Sequence, residues 1–240
     1  MKKISIAIFL TLLFATLLPA QDKTASADQA AMVATERAFA KLGYERGIRE
    51  SFIRYFSPDC IAFAPAPVKL RGELEKQEPD TFPLPVVLNW SPVWGDISAA
   101  GDMGYNTGPV TYEDTGENKR PTRHVIFFSV WKKQPDGKWL VVLDVGGRVP
   151  SAVAPLDAPY KTVSTARPKL KKIDAKTALE GMIAADKALL SDGGKVSATW
   201  KKWLADEPRI HRLNEMPVVG KTAVDEWLSL QGYTLSLIHI

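Results

Sequence analysis

After an apolar run from Ile4 to Leu18, hydrophobic positions fall first at helical spacing, then alternate, then return to helical spacing. Asp28 is placed to cap a helix carrying Met32, Phe39 and Leu42 on one side, with Gly43 ending it. From Tyr44 to Phe56 a second helix is expected, because Ile48, Phe52, Tyr55 and Phe56 stand at i, i+4, i+7 and i+8, and Ser57-Pro58-Asp59 stops it. The period then becomes two over Cys60–Ala64, Val93–Ala99, Met103–Tyr112, His124–Lys132 and Trp139–Val145, which read as strands. Ala99-Ala100-Gly101-Asp102 and Gln134-Pro135-Asp136-Gly137 supply hairpin turns. A short helix is expected over Gly72–Gln77, and Pro79, Pro83, Pro85 and Pro92 argue against long regular structure around it. Helices followed by an antiparallel meander define an α+β class.

The stretch from Ser151 to Lys172, with Pro155, Pro159 and Pro168, reads as a linker. Beyond it Leu179, Met182, Ile183 and Leu190 form one helical stripe and Val196, Trp200, Trp203 and Leu204 another. The second stripe repeats Ile48, Phe52, Tyr55 and Phe56 in phase at an offset of 148, and Gly220 repeats Gly72 at the same offset. Met32-Val33-Ala34 is echoed by Met182-Ile183-Ala184. The chain is therefore expected to hold one domain over residues 28–150, a linker over 151–172 and a truncated second copy over 173–234. The final residues Leu235-Ser236-Leu237-Ile238-His239-Ile240 match a translated transposon mosaic-end adapter and are read as an artefact.

Charge adds the compartment and removes one partner class. The 240 residues carry a net charge of +4, and the sequence pI is near 9.0. Two of the excess charges, Lys2 and Lys3, lie in the first segment, and the densest basic stretch, Arg167 to Lys172, lies in the linker, so nucleic acid is not an expected partner. Lys2 and Lys3, the apolar run and Pro19-Ala20 follow the order of a secretory signal peptide cleaved after Ala20. A run of fifteen residues would reach only about 22 Å, short of a hydrocarbon core of about 30 Å, so no membrane span is expected in the mature chain. A periplasmic or secreted protein follows. The single Cys60 cannot form an internal disulfide and is expected to be buried and inert.

Several local runs resemble the SnoaL-like, nuclear-transport-factor-two-like superfamily, in particular its exported members with two tandem copies. They are Glu36-Arg37-Ala38-Phe39, Gly47-Ile48-Arg49 with Phe52, Phe56-Ser57-Pro58-Asp59, Gly104-Tyr105-Asn106-Thr107-Gly108-Pro109, and the run from Val130 to Trp139. The resemblance covers residues 30–147 and, in part, 175–234. It implies a cystatin-like cone, in which a strongly curved antiparallel sheet wraps around helices and leaves an apolar pocket at its open end. It implies little about chemistry, since the same cone hosts isomerases, cyclases, dehydratases and binding modules.

The chemistry must come from residues. Along the strand at 124–132, His124, Ile126, Phe128 and Val130 share one face, and Val125, Phe127, Ser129 and Trp131 share the other. Both faces are largely apolar, so the outer one is expected to lie against the second domain or a second subunit. The same parity separates Ser129 from His124 and excludes a triad of Ser129, His124 and Asp144. Asp144, inside Val141-Val142-Leu143-Asp144-Val145, and His124 are the candidate acid/base groups. Tyr105 and Tyr112 are candidate hydrogen-bond donors to a ligand, and Trp90, Trp94, Phe128 and Trp131 candidate walls for a ring-shaped one. Glu36 and Arg37 read as exposed helix charges. Two usable histidines and one cysteine give no metal spacing, and Gly146-Gly147-Arg148 is no dinucleotide fingerprint, so no metal or cofactor is implied. Two functions compete: a non-catalytic module binding a small apolar or aromatic molecule or a partner, which asks only for a concavity with one or two anchors, and an acid/base enzyme of the ketosteroid-isomerase or polyketide-cyclase type. The scarcity of titratable groups on the strands favours the first.

Overall fold

The structure is a computed structural model and describes residues 20–63, 66–117, 119–162, 174–190, 204–205 and 207–231. The expected signal segment up to residue 19, the stripe from Val196 to Trp203 and the last six residues lie outside that set. Helices α1 (Ala20–Arg46), α2 (Ile48–Tyr55) and α3 (Leu70–Glu75) combine with strands β1 (Phe56–Phe63), β2 (Pro67–Val68), β3 (Val86–Trp90), β4 (Trp94–Ile97), β5 (Met103–Asp114), β6 (Arg123–Lys133), β7 (Trp139–Val149) and β8 (Lys161–Thr162). The strands form one curved sheet in the order β2-β1-β7-β6-β5-β4-β8, with β3 also on β5. The centre, β3 to β7, is antiparallel. β1 and β8 join β7 and β4 in parallel.

Helix α1 departs from the expected boundaries at both ends. It starts eight residues before Asp28, whose carboxylate instead takes the Lys133 ammonium at 2.7 Å. It also runs through Gly43 to Arg46, and the chain turns at Gly47, where φ is 90°. A left-handed backbone at Gly47 is open to glycine at no steric cost, which makes it the break point between α1 and α2. Gly43 serves a different purpose. A Cβ there would lie 2.6 Å from two ring atoms of Trp90, so the missing side chain lets β3 press onto α1. Gly43→Ala is expected to cost about 1–3 kcal/mol through overpacking, measurable as a lowered urea midpoint with unchanged slope.

The strand Val86–Trp90 was not expected from the proline pattern. The prolines bracket it rather than interrupt it, and its five residues pair with Val110–Asp114 of β5. β3 and β4 lie on one edge of β5 in succession, separated by Ser91-Pro92-Val93 opposite Gly108-Pro109. Neither proline can donate, but Ser91 N and Val93 N donate to Pro109 O at 3.3 Å and Thr107 O at 3.1 Å, so three residues stand opposite two and the ladder is irregular there. Part of the expected linker is also drawn into the sheet, as β8 pairs with β4.

The core sits between α1, α2 and the concave face. Met32, Phe56, Trp131 and Val141 are fully enclosed. Phe39 is its hub, with ring centroids 4.8 Å from Trp90, 4.9 Å from Phe52 and 5.1 Å from Tyr55. The C-terminal part contributes α4 (Ala175–Leu190), β9 (Arg209–Ile210), β10 (Val218–Val219) and α5 (Lys221–Gln231). Its own small core is Val224 and Leu228 with Leu204, Ile210, Val218 and Trp227. At the 148 offset Gly72 lies inside α3, whereas Gly220, with φ 90°, precedes α5.

Candidate functional site

The most heavily engaged polar group of the concave face is Glu36, which was expected to be an exposed helix charge. It lies with Met32 and Phe39 at i, i+4 and i+7 on α1, so the helix turns it into the core, where it is 1% exposed. That spacing was the signal available in the sequence. Trp90 Nε1 donates to Oε1 at 2.9 Å, while Ser129 Oγ at 2.7 Å, Trp131 Nε1 at 2.6 Å and Asn106 Nδ2 at 3.3 Å all donate to Oε2. Burial pushes the carboxyl above its ordinary range, and these four donors oppose that shift. The network continues outward, because Tyr160 Oη donates to Asn106 Oδ1 at 3.3 Å and Gln29 Nε2 donates to Tyr160 Oη at 3.3 Å. Thus Tyr160, in the segment expected to be a linker, joins this network, and burial raises its hydroxyl to about 12.

The antiparallel register lines up Asn106, Ser129 and Asp144 as neighbours across β5, β6 and β7. Asp144 therefore shares the concave face with the atoms that hold Glu36. Among the described residues nothing donates a hydrogen bond to its carboxylate. It is partly open to solvent yet ringed by protein, and burial first, then the nearby Glu36 charge, raise it from 3.8 to about 7. Its cross-strand neighbour on the other side is Ala62 of β1. Cys60 is buried, and burial together with the Asp144 charge takes the thiol to about 12, which leaves it protonated and unreactive. Around this point Tyr55, Leu70, Tyr112 and Val125 pack on the core while remaining half-buried. The core is therefore incompletely covered at these residues of α2, α3, β5 and β6.

The remaining sequence candidates divide between the two faces. Trp90 and Trp131 lie inside, as hydrogen-bond donors and packing rather than as an accessible wall. Tyr112 also faces inward, beneath the Arg123 guanidinium at 5.1 Å, and burial raises its hydroxyl. His124, Tyr105, Trp94 and Phe128 point the other way. Tyr105 stacks on Phe128 at 5.1 Å, and Arg209 covers Trp94 at 4.2 Å. His124 and Asp144 consequently do not converge, since their register positions place them on opposite sides of the sheet. Among the described residues no three His, Cys, Asp or Glu side chains approach as metal ligands would, and no helix is long and apolar enough to cross a membrane.

No protein-family model and no curated protein matches the chain. Solved structures do resemble it. An NTF2-like protein with a cystatin-like fold from Novosphingobium aromaticivorans is 12% identical, with a TM-score of 0.43 over 55% of this chain and 89% of that one. The association domain of C. elegans CaMKII is 14% identical, with a TM-score of 0.40 over 52% of this chain and 98% of that one. A protein from Catenulispora acidiphila in complex with S-DNPA is 15% identical, with a TM-score of 0.36 over 51% of this chain and 94% of that one. The likeness concerns the arrangement of helices and curved sheet in one cone, and it assigns no chemistry.

Proposed function

We propose that the chain is a small-molecule-binding module whose open cone end takes a small, largely apolar ligand, with Asp144 as its polar anchor. One observation carries this reading: Asp144 stands on the concave face among half-buried apolar and aromatic side chains and receives no hydrogen bond from any described residue. An unengaged polar group on an apolar concavity is the arrangement that orients a small ligand. Glu36 does not compete for the ligand, since both of its oxygens already accept hydrogen bonds. On the reading of residues 1–20 as a secretion signal, the module works in the periplasm or outside the cell.

An acid/base reaction at the same place is the second reading, favoured by the shift of Asp144 to about 7, where a carboxyl both gives and takes a proton near neutrality. Titrating the full chain with a panel of steroid-like ketones and small carbonyl compounds, beside Asp144→Asn, separates the two. Saturable binding without turnover, weakened about three- to tenfold in the variant, is the expected result. Turnover that vanishes in Asp144→Asn while binding survives would replace the first reading by the second. Absence of saturable binding by every compound would remove both.

A further inference from the structure

The outer face of the sheet carries a second cavity, separate from the cone interior. It has a volume of about 450 Å³ and lies between β6, β7 and the loop that follows β9. That volume is within the range that small-molecule sites occupy, roughly 300–1,000 Å³. Its floor is Ile126, Phe128 and Val145, with Gly147 between them, and Phe63 and Leu213 stand at its edge. The loop is anchored beside it, since Asn214 N donates to Arg148 O at 2.7 Å and Arg209 lies over Trp94.

Two polar groups reach this apolar space from the same side. His211 lines it, and its Nε2 is buried without a hydrogen-bond partner among the described residues. Leaving such a group unpaired is costly, and a bound hydrogen-bond partner would relieve it. Arg212 also lines the cavity, its guanidinium near the Trp227 ring and 3.5 Å from Glu215, a pair that is partly solvent-exposed. Two guanidinium groups, Arg212 paired with Glu215 and Arg209 near His211, flank the polar end. Burial, then the Arg209 charge, lower the His211 pKa and so favour the neutral ring, which can carry its one N–H at Nε2.

We infer that this outer cavity binds a small aromatic or apolar monoanion, its ring on Ile126, Phe128 and Val145 and its acidic oxygen between His211 Nε2 and the Arg212 guanidinium. The site shares neither Asp144 nor Glu36 with the cone interior. Gly147 gives a clean test, because a Cβ added there would meet nothing within 4 Å, so a larger side chain fills the cavity without displacing protein.

The probe is 2-naphthoate, titrated into the full chain by calorimetry, with methyl 2-naphthoate as the uncharged control. One saturable site is expected, with affinity at least tenfold weaker in Gly147→Leu and in His211→Phe and unchanged in Asp144→Asn. Near-UV circular dichroism establishes that each variant is folded, and Gly147→Val stands in for Gly147→Leu if that protein is not. Equal affinity in the cavity-filled and unaltered proteins, loss in Asp144→Asn instead, or no saturable binding would overturn the assignment. Methyl ester binding as tight as the acid would overturn the anionic class of ligand.

Discussion

Glu36→Ala is expected to be the most damaging single change in the cone, at about 3–5 kcal/mol of unfolding free energy. Truncation leaves the indole N–H groups of Trp90 and Trp131, the Ser129 hydroxyl and the Asn106 amide without the acceptor that they share, in a place where water does not replace it. It also opens a void beside Met32 and Phe39. Glu36→Gln keeps the volume but turns an amide donor toward other donors, so an intermediate loss of about 2 kcal/mol is expected. Urea unfolding followed by tryptophan fluorescence measures both, because Trp90 and Trp131 report directly on the network. A loss under about 1 kcal/mol for Glu36→Ala would show that the network does not hold the core together.

Asp144→Asn should act in the opposite direction, and only at higher pH. The folded protein raises this carboxyl from 3.8 to about 7, so between those values it holds the proton more tightly than the unfolded chain does. The group therefore favours folding most below pH 4, and stability falls as pH rises from about 4 to 7, the reverse of a salt-bridged aspartate. Well above pH 7 the charge is fully present near Glu36, and the penalty levels off. Asparagine removes both titration and repulsion. Allowing for water at the open side of the residue, a gain on the order of 2 kcal/mol at pH 8 is expected, shrinking to nearly nothing at pH 4. Thermal unfolding of both proteins from pH 4 to 8 checks this. Parallel curves would show that Asp144 titrates normally.

The two carboxyls of the core differ in their partners. Glu36 is saturated with donors and acts as a structural centre. Asp144, two strands away from Asn106 along the same row, receives no hydrogen bond from those donors.

Much of the cone was legible in the sequence because its signals are local. Period two marked β4, β5, β6, β7 and the second half of β1, whose first half, Phe56–Asp59, reads in the sequence as a helix end, and parity alone assigned Ser129 and His124 to opposite faces, as the register shows. Lys161–Thr162 and Val86–Trp90 were missed because a two-residue strand has no period and a proline-bracketed one looks like a loop, yet both find partners on the β4 and β5 edge. The helix break was placed at Gly43 rather than Gly47, since either glycine satisfies the pattern. Only the ring of Trp90 against Gly43 and the positive φ at Gly47 distinguish their uses.

The sequence by itself determined the α+β class, the alternation of faces along the strands and the unusual setting of Asp144 in an apolar run, because each depends on near neighbours in the chain. The tertiary structure decided the role of Glu36, whose donors come from positions 54, 70, 93 and 95 residues away. It also separated His124 from Asp144 and brought His211 to the outer face of β6 and β7. A buried charge is tolerable only where partners converge on it, and convergence across a folded sheet leaves no periodic trace in the chain.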